Sequence, residues 1–259
     1  MEQTNPIDRE PIVGVIPARF ESTRFPGKLL QMLGDRTVLH HVHENARRSR
    51  VLDAIVVATD DERILREVLA FEGTAVMTSP THRSGTERVA EAVRDLPRVP
   101  ARVVNIQGDE PFLGPEEIDA VARAVRDDPT AVWTAVCPFS DPEAVGREDA
   151  VKAVLAADGR VLYFSRAPVP HRRTGGGWTP AHRHHVGIYG FATAMLARFI
   201  ALPCSPLEEL EGLEQLRLLE AGIPMRAVEI PAGFGGIDTR EDLQRAREHL
   251  AAGLEGGTQ

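Results

Sequence analysis

The sequence predicts an α/β fold with a mostly parallel central sheet, and three features point to it. Short apolar runs of strand length alternate with segments whose apolar residues recur at helical spacing. The runs are almost continuously apolar, as expected of strands covered on both faces. Most lead into a polar loop and then a helix-start signal, the order of right-handed βαβ units. Open sheets of this kind bind ligands beyond the carboxyl ends of their strands.

The first run, residues 12–16, lies between Pro11 and Pro17 and empties into a polar loop, residues 18–28. Thr37 caps a helix reaching about Arg48, and residues 55–58 form a second buried strand. Asp60 or Asp61 caps a helix that places Ile64, Leu65, Val68 and Leu69 on one face. A short strand near residues 75–77 precedes Ser84-Gly85-Thr86-Glu87, a capping-box pattern opening a helix with Val89, Ala90 and Val93. Residues 103–106 make another strand, and Pro115 starts a helix with Ile118, Val121 and Val125 turned inward. Loops after Pro17, Met77 and Ile106 therefore converge on one crevice.

Beyond about Ala131 the pattern turns β-rich. Residues 150–155 and 160–164 flank Ala157-Asp158-Gly159, which reads as a hairpin. Residues 171–179 are basic and Gly-rich, a mobile loop, and residues 185–191 give a further strand. Residues 131–200 are expected to form a lid, a dimerisation arm, or both. Ser205-Pro206 starts a helix, Thr239 starts the last one, and residues 253–259 form a flexible tail. With no internal repeat, residues 1–259 read as a single domain.

The composition, 42% hydrophobic and 26% charged, is that of an ordinary globular protein. No apolar run is long enough for a membrane span, and the polar, acidic start does not resemble a secretory signal. Cys137 and Cys204 fall in no CxxC motif, which fits a reduced, cytoplasmic setting. A net charge of −8 and 5% aromatic residues argue against nucleic acid or an acidic membrane as partner. Of 30 basic residues only Lys28 and Lys152 are lysines; coding bias toward arginine accounts for the skew but not for where these two fall.

Three loops have the chemistry of a phosphate site. Residues 17–28 carry Arg19, Ser22, Arg24, Gly27 and Lys28 after a strand, a set able to hold a triphosphate although no GxxxxGK[ST] or GxGxxG is present. On composition alone, a solvated surface loop explains that segment equally well. Gln107-Gly108-Asp109-Glu110 puts a carboxylate just past a buried strand, where it can ligate Mg²⁺; a plain turn is the simpler alternative. Asp238, beside Gly235 and Gly236, offers a second carboxylate, with helix-start chemistry as its alternative. On one continuous helix from Pro206, Glu208, Glu211 and Gln215 fall within an arc of about 60° among leucines, suited to a polyhydroxylated sugar or to a solvent-facing strip. The histidines at 40, 41, 43, 182, 184 and 185 lack zinc-site spacing, and no GxSxG elbow occurs.

Nine segments, among them VIPARFESTRFPGKLL, HRSGTERVAEA, VNIQGDEPF, LYFSRAPVP, HHVGIYGF, SPLEELEGLEQLR and GIDTREDL, occur in one order from about Val13 to Leu250. Together they resemble the 3-deoxy-manno-octulosonate (Kdo) cytidylyltransferases. The resemblance implies a Rossmann-like nucleotidyltransferase fold with a β-rich dimerisation arm, and a cytoplasmic homodimer. It implies the use of CTP, Mg²⁺ and a Kdo-like sugar acid for lipopolysaccharide-type sugar incorporation, with pyrophosphate released. By the same resemblance Ala18, Arg19 and Lys28 hold phosphates, with Ser84 and Gly85 near cytosine and ribose. Asp109 and Asp238 match metal-binding aspartates, and Arg19, Lys28, Asp109 and Asp238 form the catalytic set. Gln107, Arg166, His185, Tyr189, Glu211 and Gln215 match the sugar side, Gln107 touching the nucleotide too. Thr81, where an aspartate is common, and residues 170–173 depart from the family pattern, which leaves an amino analogue of Kdo or a sialic-acid-type sugar as alternative substrates.

Overall fold

A computed structural model describes residues 10–21, 24–175, 177–231 and 235–256, the last four by backbone only. Strand β1 (Ile12–Ala18) shows why a two-faced sheet forms. Its Ile12 and Ile16 enter one apolar core, while Val13 and Val15 enter the other, and all four are buried. Truncating any of these to alanine would cost about 2–5 kcal/mol for the larger side chains.

After β1 come the small hairpin β2 (Met32–Leu33) and β3 (Arg36–Thr37), then α1 (Val38–Arg47), capped by the Thr37 hydroxyl, which accepts from His40 N at 3.2 Å. β4 (Ala54–Thr59) leads to α2 (Glu62–Ala70), whose cap is Asp61, and β5 (Ala75–Met77) leads to α3 (Gly85–Arg94). β6 (Arg102–Ile106) and α4 (Pro115–Asp127) complete the first half as expected. One detail differs: Leu69 is exposed, because Ile64 and Val68 alone reach the core. The Ser84 hydroxyl accepts from Glu87 N, but the Glu87 carboxylate reaches back one residue further, to Arg83 N.

The second half adds β7 (Val132–Pro138), β8 (Lys152–Leu155), β9 (Val161–Ser165) and β10 (Arg183–Ala192). Then follow α5 (Thr193–Ile200), α6 (Pro206–Glu211), α7 (Leu216–Glu220), β11 (Met225–Glu229) and α8 (Arg240–Gly256). The main sheet runs β11-β7-β10-β6-β1-β4-β5, with β8 paired to β10 and β9 to β8. β1 is parallel to β4 and β6, β4 to β5, and β11 to β7; β10 is antiparallel to its neighbours. One core lies under α1, α2, α4 and α8, the other under α3, α5 and α7.

Several expectations for the second half need correction. Within residues 131–200, β7 and β10 belong to the main run of the sheet, and β8 and β9 extend from β10. The strands 132–138 and 225–229 and the helix 193–200 were not foreseen. The helix from Pro206 is not continuous, because Gly212 adopts φ 61° and ends α6 before α7 begins. Leu210, near the end of α6, is 82% exposed. The last helix continues to Gly256, through part of the expected tail; residues 257–259 lie outside the described residues. No helix among the described residues is long and apolar enough to cross a membrane.

The strand order also locates the site. From β1 the chain moves outward through β4 to β5, then returns to β6 on the opposite side of β1. The carboxyl ends of β1 and β6 therefore border a switch point, where two loops part and leave a crevice.

Candidate active site

A cavity of about 350 Å³ opens at that switch point. Its walls include Ala18 and Arg19 after β1, Lys28 in the following loop, Ser84 and Gly85 at the start of α3, Gln107 and Asp109 after β6, and Asp238 before α8. All eight residues assigned to the nucleotide and metal side thus meet in one place. Gly108 lets the β1 and β6 loops approach, since a Cβ there would sit 3.1 Å from the Pro17 carbonyl and 3.2 Å from Leu29. Gly27, at φ 69°, turns the chain into the short helical turn that carries Lys28, and its N–H donates to the Phe20 carbonyl at 2.8 Å. Ser22 lies outside the described residues.

Lys28 is the centre of this cluster. Its Nζ donates to Asp109 Oδ2 at 2.5 Å and to Asp238 Oδ1 at 2.9 Å. Arg24 Nη2 lies 2.8 Å from the other Asp238 oxygen. Burial pulls the Lys28 ammonium down, but the two carboxylates outweigh it and hold the group above the ordinary lysine value. Burial likewise pushes the Asp238 carboxyl up, and Lys28 with Arg24 overrides that and keeps it below the usual aspartate value. Glu110 turns away, to a larger cavity of about 680 Å³ that contains none of the predicted site residues. Burial, then the Asp109 and Asp238 charges, push its carboxyl up to about 8.

The donor set suits a divalent cation. Asp109 and Asp238 already place carboxylate oxygens around one positive point, the Lys28 ammonium, and hard ions such as Mg²⁺ prefer oxygen ligands. Among the described residues no group of three or more His, Cys, Asp or Glu is arranged as a self-sufficient metal cage. Two carboxylates completed by substrate oxygens and water is the usual arrangement where Mg²⁺ serves phosphates.

The predicted sugar-side residues fall outside the lining of that cavity, except Gln107, and form two groups. In the first, Arg166 N donates to Glu211 Oε2 at 2.9 Å and Arg166 Nε to the Glu211 carbonyl at 2.6 Å. Ser165 Oγ donates to Glu211 Oε1 at 2.7 Å. Glu211 is thus committed to holding the end of β9. In the second, His185 is buried, with Nε2 3.0 Å from Thr134 Oγ1 and its ring centroid 5.5 Å from that of Tyr189. Burial, with His184 adding to it, depresses the His185 imidazole to about 3, so it is neutral at pH 7. Gln107 packs against β10, where a Cβ on Gly187 would lie 3.0 Å from its Cγ.

Gln215 is buried at the start of α7, not on the same helix face as Glu208 and Glu211, because of the break at Gly212. The break brings forward a residue the sequence reading missed. Glu214 accepts a hydrogen bond from Thr86 Oγ1, in the first turn of α3, with Ser84 beside it. Its Oε2 is buried without a partner, as is Asn105 Oδ1 nearby; Asn105 Nδ2 donates to Thr86 at 3.4 Å. Burial raises the Glu214 carboxyl above its ordinary value, and its charge adds to the burial that lifts the Tyr189 phenol. Unpartnered buried oxygens are costly unless a ligand meets them. Glu214 thus bonds the start of α3 through Thr86 and acts on Tyr189 through its charge.

Residues 13–230 match the family model described as cytidylyltransferase. The 3-deoxy-manno-octulosonate cytidylyltransferase of Anaeromyxobacter dehalogenans (strain 2CP-C) is 48% identical over 92% of this chain and 97% of its own length. That of Thermodesulfovibrio yellowstonii is 41% identical over 91% and 96%. A solved structure of CMP:2-keto-3-deoxy-manno-octonic acid synthetase complexed with CTP superposes with a TM-score of 0.86, at 36% identity, over 93% of this chain and 99% of that one. The fold, the crevice at its switch point and this agreement along almost the whole sequence have one reading: the chain belongs to the 3-deoxy-manno-octulosonate cytidylyltransferase family.

Proposed function

We infer that this chain transfers the cytidylyl group of CTP to the anomeric hydroxyl of Kdo, forming CMP-Kdo and pyrophosphate. The observation that carries the reading is the meeting of Lys28, Asp109 and Asp238 at the crevice of a chain so similar to a synthetase solved with CTP. The C2 hydroxyl oxygen attacks the α-phosphorus in line with the departing pyrophosphate. The new P–O bond forms as the bond to pyrophosphate breaks, and the hydroxyl proton passes to solvent.

Arg19 and Lys28 bind the triphosphate and offset the charge that builds on the leaving group. Ser84 and Gly85 open α3, whose first-turn N–H groups carry partial positive charge suited to the nucleotide. Asp109 and Asp238 would hold Mg²⁺, which lowers the pKa of the attacking hydroxyl and neutralises phosphate charge. On the sugar side, neutral His185 and Tyr189, with Gln107, Gln215 and Glu214, offer hydrogen bonds to hydroxyl groups, and Arg166 supplies the positive charge for the sugar's carboxylate. These local cations let a protein of charge −8 gather two anionic substrates.

The product is destined for lipopolysaccharide-type sugar incorporation. The enzyme works as a homodimer in the cytoplasm, with Leu162 of β9, 50% exposed, part of the apolar surface the partner covers. Two unbridged cysteines accord with a reducing compartment. The test is a substrate panel: pyrophosphate release from CTP with Kdo, 8-amino-Kdo or a sialic acid. Kdo gives the highest kcat/KM; a preference for either other sugar overturns the assignment of substrate. Light scattering after gel filtration reads the dimer, and a mass of one chain refutes it.

A further inference from the structure

Lys152 and Lys28 are the only lysines among 30 basic residues, and both are enclosed by oxygen atoms. Lys152 is fully buried in β8, the strand between β9 and β10. Its Nζ donates to the Arg147 carbonyl at 2.8 Å and also to the Arg166 carbonyl. Among the described residues no carboxylate forms an ion pair with it. A compact ammonium fits between two carbonyls, whereas a planar guanidinium fork does not. This is a position where the chain's preference for arginine cannot be followed without moving backbone.

What Lys152 holds is the frame of Arg166. The Arg166 guanidinium donates from Nε to the Glu211 carbonyl at 2.6 Å, from Nη1 to the Glu148 carbonyl at 2.9 Å, and from Nη2 to the Gly212 carbonyl at 3.3 Å. Arg166 and Lys152 therefore grip the adjacent carbonyls of residues 147 and 148, while Lys152 also holds the Arg166 peptide itself. A guanidinium has five N–H groups, so these bonds leave one on each terminal nitrogen for a ligand. We propose that Lys152 is the positioning residue of the sugar-acid side: its ammonium fixes the Arg166 backbone so that these two N–H groups meet the carboxylate of the anionic sugar. The proposal rests on reading Arg166 as a sugar-side residue.

Steady-state kinetics of pyrophosphate release, with Kdo and CTP varied separately, test it. Lys152→Met raises KM for Kdo by roughly tenfold or more while KM for CTP stays within about twofold. Lys152→Arg does not restore the Kdo value, and Lys152→Ala assayed with methylammonium does, because the small cation refills the ammonium position. If Lys152→Met is poorly folded, Lys152→Ala with and without methylammonium carries the test, and absence of any Kdo-specific rescue overturns the proposal. Equal rises in both KM values also overturn it, since they mark a structural role only. Arg166→Ala separates the two levels. If it leaves KM for Kdo unchanged, the sugar-side reading of Arg166 fails; if it raises that KM and the Lys152 variants do not, the Lys152 proposal alone fails.

Discussion

Asp109 and Asp238, far apart in sequence, share one cation: the Lys28 ammonium lies 2.5 Å from the first and 2.9 Å from the second. Two carboxylates brought this close repel one another unless a positive charge lies between them. Lys28 supplies it in the protein alone, and the same two side chains are the ones assigned to Mg²⁺. On the proposed Mg²⁺ assignment, the lysine and the metal would compete for one place.

Replacing Lys28 should therefore have two opposite effects. Lys28→Met lowers turnover by roughly 10²-fold, since a counter-charge for the departing phosphates is gone. In the absence of nucleotide the same variant binds Mg²⁺ or Mn²⁺ more tightly than the unmodified protein, because no ammonium occupies the carboxylates. Calorimetric titration with Mn²⁺ reads the second effect, and weaker binding by the variant contradicts the competition.

Gly108→Ala tests the close approach of the two loops. The added methyl meets the Pro17 carbonyl at 3.1 Å, a backbone atom with little room to move. The expected loss is about 1–3 kcal/mol of stability, together with weaker CTP binding. A urea midpoint unchanged from the parent protein rules out the tight fit.

Glu214→Gln keeps the size of a carboxyl group whose burial already favours the neutral form. Its melting temperature is expected within a few degrees of the parent, since a small stability change shifts a chain of this size by only about 2–4 °C per kcal/mol. Glu214→Leu leaves the Thr86 hydroxyl without its acceptor and raises KM for Kdo. Unaltered kinetics in Glu214→Leu remove Glu214 from the site.

Acid should destabilise the fold through His185. Its folded-state pKa is depressed to about 3 by burial and by His184, so below about 6.5 the unfolded chain takes up a proton that the folded chain resists. The His185 contribution is complete above the unfolded value and falls as pH drops from 6.5 toward 3. Asp238, held below its ordinary value, adds to the loss at the acid end of that window. Urea unfolding at pH 7.5 and pH 5 measures the slope; His185→Gln shows a smaller loss between the two.

Much of this site was readable before the fold was known. The segments around Lys28, Ser84, Asp109 and Asp238 each stand at a strand end or a helix cap, and local chemistry fixes such places. The missed strand 132–138 alternates Val132, Thr134 and Val136 with Trp133, Ala135 and Cys137, but its short polar and aromatic members hide the pattern of a central strand. The break at Gly212 was misread because leucines on both sides continue the helical spacing, and only the left-handed backbone at that glycine reveals the turn. Glu214 was invisible for another reason. Its partner Thr86, which also accepts from Asn105, comes from the first half of the chain, and no spacing within its own segment announces it. Arg166 and Glu211 were both expected on the sugar side, yet the sequence could not show that Glu211 bonds the backbone at the end of β9.

The most direct test of the shared cation site is a Mg²⁺ titration of pyrophosphate release from CTP plus Kdo, run on the parent protein, Asp109→Ala and Asp238→Ala. The parent should be silent in EDTA and recover fully with Mg²⁺, and each variant should fall by roughly 10²-fold or more with its Mg²⁺ requirement shifted upward. Near-parental release by Asp109→Ala, or release by the parent that is indifferent to EDTA, would contradict it.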